Sequence, residues 1–282
     1  MYIPQLGRVA IGNDSSVPLR RAYPVVAVGF ASGWPSHNIG IVAIDISYPV
    51  LVLVSGVVCL GAMLQGSIGF GLGTFSVPIL LLLEPLFVPG PMLLVAFFLT
   101  LMLLRRERAS VAFREVSWGI AGRALGSAVV GVVFLYMASE WMPPLVAVLV
   151  LVALGIMASG WKLPITRVSL LGVGFMSGVL GTAASIGGPP LAMLYMHSKG
   201  GRVRGTLSGI FVAGTLFSVA ALVVSGKFGL REVYLTGLLM PGVLLGFLLS
   251  RRTARIADNG YLRPAIIVVS ALAAVLSLIR YL

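Results

Sequence analysis

From residue 48 onward the chain alternates long apolar runs with short connectors, and nearly every charge sits in a connector. The runs cover approximately 48–66, 70–84, 86–104, 117–137, 143–160, 167–183, 188–198, 205–225, 232–250 and 264–281. Crossing the hydrocarbon core of a bilayer takes about 20 apolar residues as a helix. Lipid offers no partner to backbone N–H and C=O groups, so such segments must satisfy them internally. The chain as a whole is 59% hydrophobic and 10% charged, whereas soluble domains are about 25% charged. The pattern predicts an all-α polytopic membrane protein and excludes soluble, disordered, collagen-like and disulfide-rich classes.

Residues 1–47 are of another kind, with Arg8, Asp14, Arg20, Arg21, His37, Asn38 and Asp45 among four prolines. The apolar stretch Tyr23–Trp34 is short for a span. It reads as a signal-peptide core or an interfacial segment, and a retained, partly ordered N-terminal segment is the expectation. Cys59 is the single cysteine, and His37 and His197 are the two histidines, so no Cys/His metal cluster is expected. No nucleotide-binding motif is present, and no cofactor is expected.

The ten runs fall into two sets of five. A shift of 112 residues places Gly66 on Gly178, Gly69 on Gly181 and Pro78 on Pro190; a shift of 120 places Gly122 on Gly242 and Gly126 on Gly246. Each set also has a Gly-rich break after its first run. The expected organisation is repeat 1 over 48–162 and repeat 2 over 163–282.

Thirteen of the 20 Lys and Arg lie in four alternate connectors: Arg105, Arg106, Arg108 and Arg114; Lys162 and Arg167; Lys199, Arg202 and Arg204; Arg251, Arg252, Arg255 and Arg263. In a soluble protein the net charge of +12 would suggest nucleic acid. Here it marks the cytoplasmic side, and no nucleic-acid partner is expected. Each set then makes an odd number of net crossings, whether its short second run (70–84 or 188–198) spans or forms a re-entrant half-helix. The second set enters the membrane inverted, and the C-terminus is expected outside. Inverted repeats meeting at the bilayer midplane characterise secondary transporters.

The breaks are where chemistry is expected. One is Gln65-Gly66-Ser67-Ile68-Gly69-Phe70-Gly71-Leu72-Gly73-Thr74-Phe75-Ser76-Val77-Pro78, the other Gly181-Thr182-Ala183-Ala184-Ser185-Ile186-Gly187-Gly188-Pro189-Pro190. Unwound backbone at membrane depth must line a cavity or be buried in protein. Pro189 and Pro190 suit a first helical turn, and a helix N-terminus favours an anion. Gln65, Ser67, Gly69, Gly71, Gly73, Thr74, Ser76, Thr182, Ser185, Gly187 and Gly188 are therefore candidate substrate contacts. The competing reading is that the glycines serve only close helix packing.

Arg123, about six residues into its run, either neutralises an anionic substrate or snorkels to the interface. Glu84 and His197 are candidates for proton coupling, or else ordinary interfacial residues. Trp34, Trp118, Trp141 and Trp161 lie near run ends and read as belt anchors. Met176, Met193, Met196 and Met240 read as packing. A Ser185–His197 dyad would be twelve residues apart along a short helix, so no enzyme is expected.

At the two breaks the sequence resembles the TauE/SafE family of membrane proteins, which includes sulfite and organosulfonate exporters. The resemblance rests on Gly69-Phe70-Gly71-Leu72-Gly73 through Pro78 and Leu80–Leu83, and on Gly181 with Gly187-Gly188-Pro189-Pro190-Leu191. It covers approximately 48–282. Pro189 and Pro190 depart from the commoner Gly-Gly-Gly form and remove two backbone donors. The resemblance implies transport, with export as the expected direction, of small anions such as sulfite or sulfonates across a bacterial cytoplasmic membrane. A sulfonate or a doubly charged sulfite presents three oxygens to converging donors. The expected partners are this small anion and the lipid bilayer, with a homodimer left open. A passive channel, or a carrier of another small organic anion, is the alternative.

Overall fold

A computed structural model describes residues 46–195, 200–257 and, towards the C-terminus, 268, 271–276 and 279. By packing, the chain divides into Met1–Val52 and Leu53–Leu282. Of the first unit, only residues 46–52 are described, the entry to the first helix, so the expectation for the N-terminal segment lies outside the described residues. The bundle below belongs to the second unit.

Among the described residues nine α-helices are delimited: α1 (Tyr48–Ile68), α2 (Leu72–Leu83), α3 (Gly90–Arg106), α4 (Phe113–Tyr136), α5 (Met142–Ala158), α6 (Arg167–Ala184), α7 (Gly188–Tyr195), α8 (Gly201–Val224) and α9 (Leu230–Ala257). They match nine of the ten apolar runs to within a few residues; the tenth is described only in part, with 271–276 helical. Among the described residues five helices are long and apolar enough to cross a membrane: α1, α4, α6, α8 and most of α9. Apolar side chains also point outward, Leu125, Val129, Val132 and Val133 on α4 and Leu244, Leu245 and Leu248 on α9 among them. A helix apolar on its outer face belongs in lipid, and the protein is an all-α polytopic membrane protein.

Local chemistry sets the helix ends. Pro91 and Pro143 occupy the first turns of α3 and α5, where a missing N–H costs nothing. The Thr166 hydroxyl accepts from the Ser169 N–H at 3.1 Å and caps α6. Arg105 and Arg106 close α3 at the negative end of its dipole.

Contacts sort the connectors into two ends. At one end Arg106 and Arg204 share Glu107 at 3.2 and 3.0 Å. There too Arg202 pairs with Glu115, and Arg167 lies over the Trp118 ring at 5.7 Å. The same end holds Ser250 of α9, which accepts from Arg106 at 3.0 Å. These are the four basic connectors. At the other end Lys227 donates to the Met137 carbonyl at 3.2 Å, and Gly90 abuts Phe228 and Glu232.

Glycines bring helices together in two pairs. On α4, a Cβ at Gly122 or Gly126 would overlap the Leu171 or Phe175 carbonyl of α6. On α9, a Cβ at Gly246 would overlap the Cys59 carbonyl of α1, and one at Gly242 would meet that of Ser55 at 2.5 Å. Contact numbers rise together in each pair, so the partners run parallel. The α4/α6 pair leaves the basic end, whereas the α1/α9 pair approaches it.

Candidate functional site

Both breaks need unusual backbone. Between α1 and α2, Gly69 and Gly71 have φ of 104° and 132°, which side-chain-bearing residues rarely adopt. Gln65 reaches across the break, and its Oε1 accepts from the Leu72 N–H at 3.1 Å. That occupies one of the orphan donors of α2. After α6, Ser185 lies in the left-handed region at φ 58°. Its N–H and that of Ile186 return to the Gly181 and Leu180 carbonyls at 2.8 and 3.2 Å, the first of these being the bond of the αL helix end.

The breaks touch. A Cβ on Gly73 would overlap the Ser185 carbonyl oxygen, and one on Gly188 would lie 3.0 Å from the Phe70 Cβ. From this meeting point α2 leads to the Gly90 end. In contrast, α7 leads to the basic end, where the Tyr195 hydroxyl donates to Glu115 at 2.7 Å. The two short helices thus start side by side and finish at opposite ends of the bundle.

A cavity of about 30 Å³ lies where they start. One enclosed water needs about 10–15 Å³ by this measure, so the space suits a compact ion. Its lining comes from α1, α2, α3, α4, α8 and both breaks, and Arg123 is its one charged residue.

Arg123 is 2% exposed. Its Nη1 donates to the Ser177 hydroxyl at 2.7 Å, and that hydroxyl donates to the Gly187 carbonyl at 2.6 Å. The guanidinium carbon sits 5.3 Å from the Phe211 ring centre. Bare backbone makes room for the rest: a Cβ at Gly187 or Gly214 would collide with the guanidinium, and one at Gly181 would come within 2.9 Å of Nη2. Among the described residues no carboxylate pairs with it, and its Nε–H has no partner. A guanidinium stays charged in proteins, and an unpaired charge in a protein interior is expensive. Thr74, also 2% exposed, presents a second unpartnered donor, Oγ1. Buried donors left open on a cavity wall have the chemistry that suits an anion.

Of the residues expected at the site, Gln65, Gly71, Gly73, Thr74, Arg123, Ser185, Gly187 and Gly188 line this cavity. The Arg123 side chain is enclosed by Ser177, Gly181, Gly187, Phe211 and Gly214. Four other candidates face elsewhere. Ser67 bonds the Thr253 hydroxyl of α9 at 2.8 Å, and Gly69 packs on Arg204. The Ser76 hydroxyl donates to the Val57 carbonyl at 3.3 Å. Thr182 joins Ser127 and Ser218 in a buried hydroxyl cluster, at 2.9 and 2.8 Å. Glu84 caps the far end of α2 and does not line the cavity; His197 lies outside the described residues. Sequence reasoning missed Thr100, Ser177, Phe211 and Thr215. A single Ser or Thr in an apolar run gives no sign of which way it faces.

No curated protein and no solved structure matches the chain. The family model described as "Sulfite exporter TauE/SafE" matches residues 53–277, most of the chain. The protein is an integral membrane protein of the TauE/SafE family, a family of membrane transporters.

Proposed function

We propose that this protein carries small sulfur-containing anions such as sulfite across the membrane, exporting them by alternating access around the cavity where the two breaks meet. The observation that carries this reading is Arg123, a buried cation that among the described residues hydrogen-bonds only to the neutral Ser177. An anion entering the cavity supplies the missing counter-charge and accepts from Arg123 Nε and Thr74 Oγ1. Family membership supports the sulfur anion as cargo.

The halves 48–162 and 163–282 are read here as inverted repeats. Support comes from the opposed directions of the α4/α6 and α1/α9 pairs, and from the opposed courses of α2 and α7. The basic end faces the cytoplasm on the positive-inside rule, which leaves the C-terminus outside in a bacterial inner membrane. Arg106 ties α3 to the Gly66 carbonyl of α1 and to Ser250 of α9, so opening towards the basic end has to release these bonds.

Counterflow of radiolabelled sulfite in proteoliposomes tests the proposal. Saturable exchange that disappears in Arg123→Gln is the expected result. Exchange of equal size in Arg123→Gln would remove the cavity from the pathway. Ion current without counterflow would replace the carrier with a channel.

A further inference from the structure

Given the transport reading above, on which this step rests, we infer that the cavity selects for a single negative charge: the carried species is a monoanion, for sulfite its hydrogensulfite form, and dianions are rejected. The cavity holds one fixed charge. Besides Arg123, the elements facing it contribute only amides, hydroxyls and apolar groups: Gln65 from α1, Thr74 from α2, Thr100 from α3, Phe211 and Thr215 from α8, and Ser185 from the second break. None of these titrates. The neighbouring arginines, Arg106 and Arg204, lie outside the lining and share the Glu107 carboxylate.

Charge balance then decides between ligands. A monoanion against Arg123 makes a neutral pair, and the unpartnered Thr74 hydroxyl is a neutral donor for a further oxygen. A dianion would leave a net negative charge in the same buried space, with no second cation in the lining to offset it. Burying an unpaired charge costs far more than burying a pair, so discrimination follows from that difference. The layout itself supplies one cation and not two. Under the 120-residue shift that superposes the packing glycines Gly122 and Gly126 on Gly242 and Gly246, Arg123 falls on Val243, which is fully buried.

The test uses the full-length wild-type protein in proteoliposomes with three labelled probes: sulfite, methanesulfonate and sulfate. Methanesulfonate is a monoanion at every working pH, sulfate is a dianion, and sulfite loses its second proton near neutrality. At a fixed, sub-saturating total concentration, sulfite uptake should fall as pH rises, approaching about tenfold per unit above that ionisation. Methanesulfonate uptake should stay flat over the same range, which controls for titration of the protein, and sulfate should neither enter nor compete. Sulfite uptake that stays flat or rises with pH, or sulfate competing as well as methanesulfonate, would overturn the inference and leave the transport reading standing. No uptake of sulfite or methanesulfonate, with the protein shown folded in the same vesicles, would overturn both.

Discussion

The two breaks occupy corresponding places in the chain but are held in different ways. The first is tied into the scaffold. Gln65 caps α2, Ser67 is joined to Thr253, and the Gly66 carbonyl accepts from Arg106. The second break faces the cavity's charge: Gly187 gives the guanidinium room and holds Ser177 against it. The same division appears in the helices that carry the packing glycines. After Gly122 comes Arg123, and after Gly242 comes Val243. The glycines superposed by the 120-residue shift share one task, close packing, while the buried charge stands beside one of the two pairs only.

The largest effect expected from breaking this asymmetry is at Arg123. Arg123→Gln keeps a donor for Ser177 but removes the charge. Hydrogen bonds to charged groups are worth about 1.5–3 kcal/mol, and a loss at the upper end lowers affinity roughly 100-fold. Sulfite counterflow should fall by that order, whereas the thermal midpoint in detergent should hold or rise, because an unpaired buried charge has gone. A large drop in the midpoint would make Arg123 a structural residue and weaken the comparison.

Next come the glycines where the breaks meet. In Gly73→Ala the new methyl overlaps a backbone oxygen, that of Ser185; in Gly188→Ala it meets the Phe70 side chain at 3.0 Å. Backbone yields less easily than a side chain, so Gly73→Ala should carry the full overpacking cost of about 1–3 kcal/mol and Gly188→Ala less. Thermal unfolding of the two variants ranks them. Equal loss would mean that the breaks are interchangeable, contrary to their different surroundings. The shared task offers a control: Gly126→Ala and Gly246→Ala both drive a methyl into a carbonyl of the neighbouring helix, and their losses should be similar.

The sequence disclosed elements more fully than faces. Apolar runs located the helices because crossing length and hydrophobicity are properties of a segment. The breaks were legible because glycine and proline act on the local backbone, and Arg123 because a charge inside a span calls for a reason. Facing was not legible. Ser67, Ser76 and Thr182 lie in the motifs, yet helical turn directs them to α9, α1 and a separate hydroxyl cluster. Ser177 supports Arg123 from ten residues before Gly187, and only the return of the chain after Ser185 brings those two together. Thr100 looks like a packing residue in its run, and its hydroxyl does bond the Ala96 carbonyl at 2.7 Å, while the residue still lines the cavity.

The smallest effect expected is at Gln65, and it bears on what the first break is for. The Gln65 amide stands in for backbone at the start of α2, leaving that helix end partly satisfied before any anion arrives. Gln65→Ala frees the Leu72 N–H and loses a neutral hydrogen bond, about 0.5–1.5 kcal/mol. If the first break is scaffold, this appears as a lower thermal midpoint with little change in sulfite affinity. If its N–H groups instead belong to the anion site, freeing one adds a donor, and affinity should rise even as stability falls. Measuring both quantities on one preparation separates the cases: the contrast between the breaks predicts a fall in stability alone.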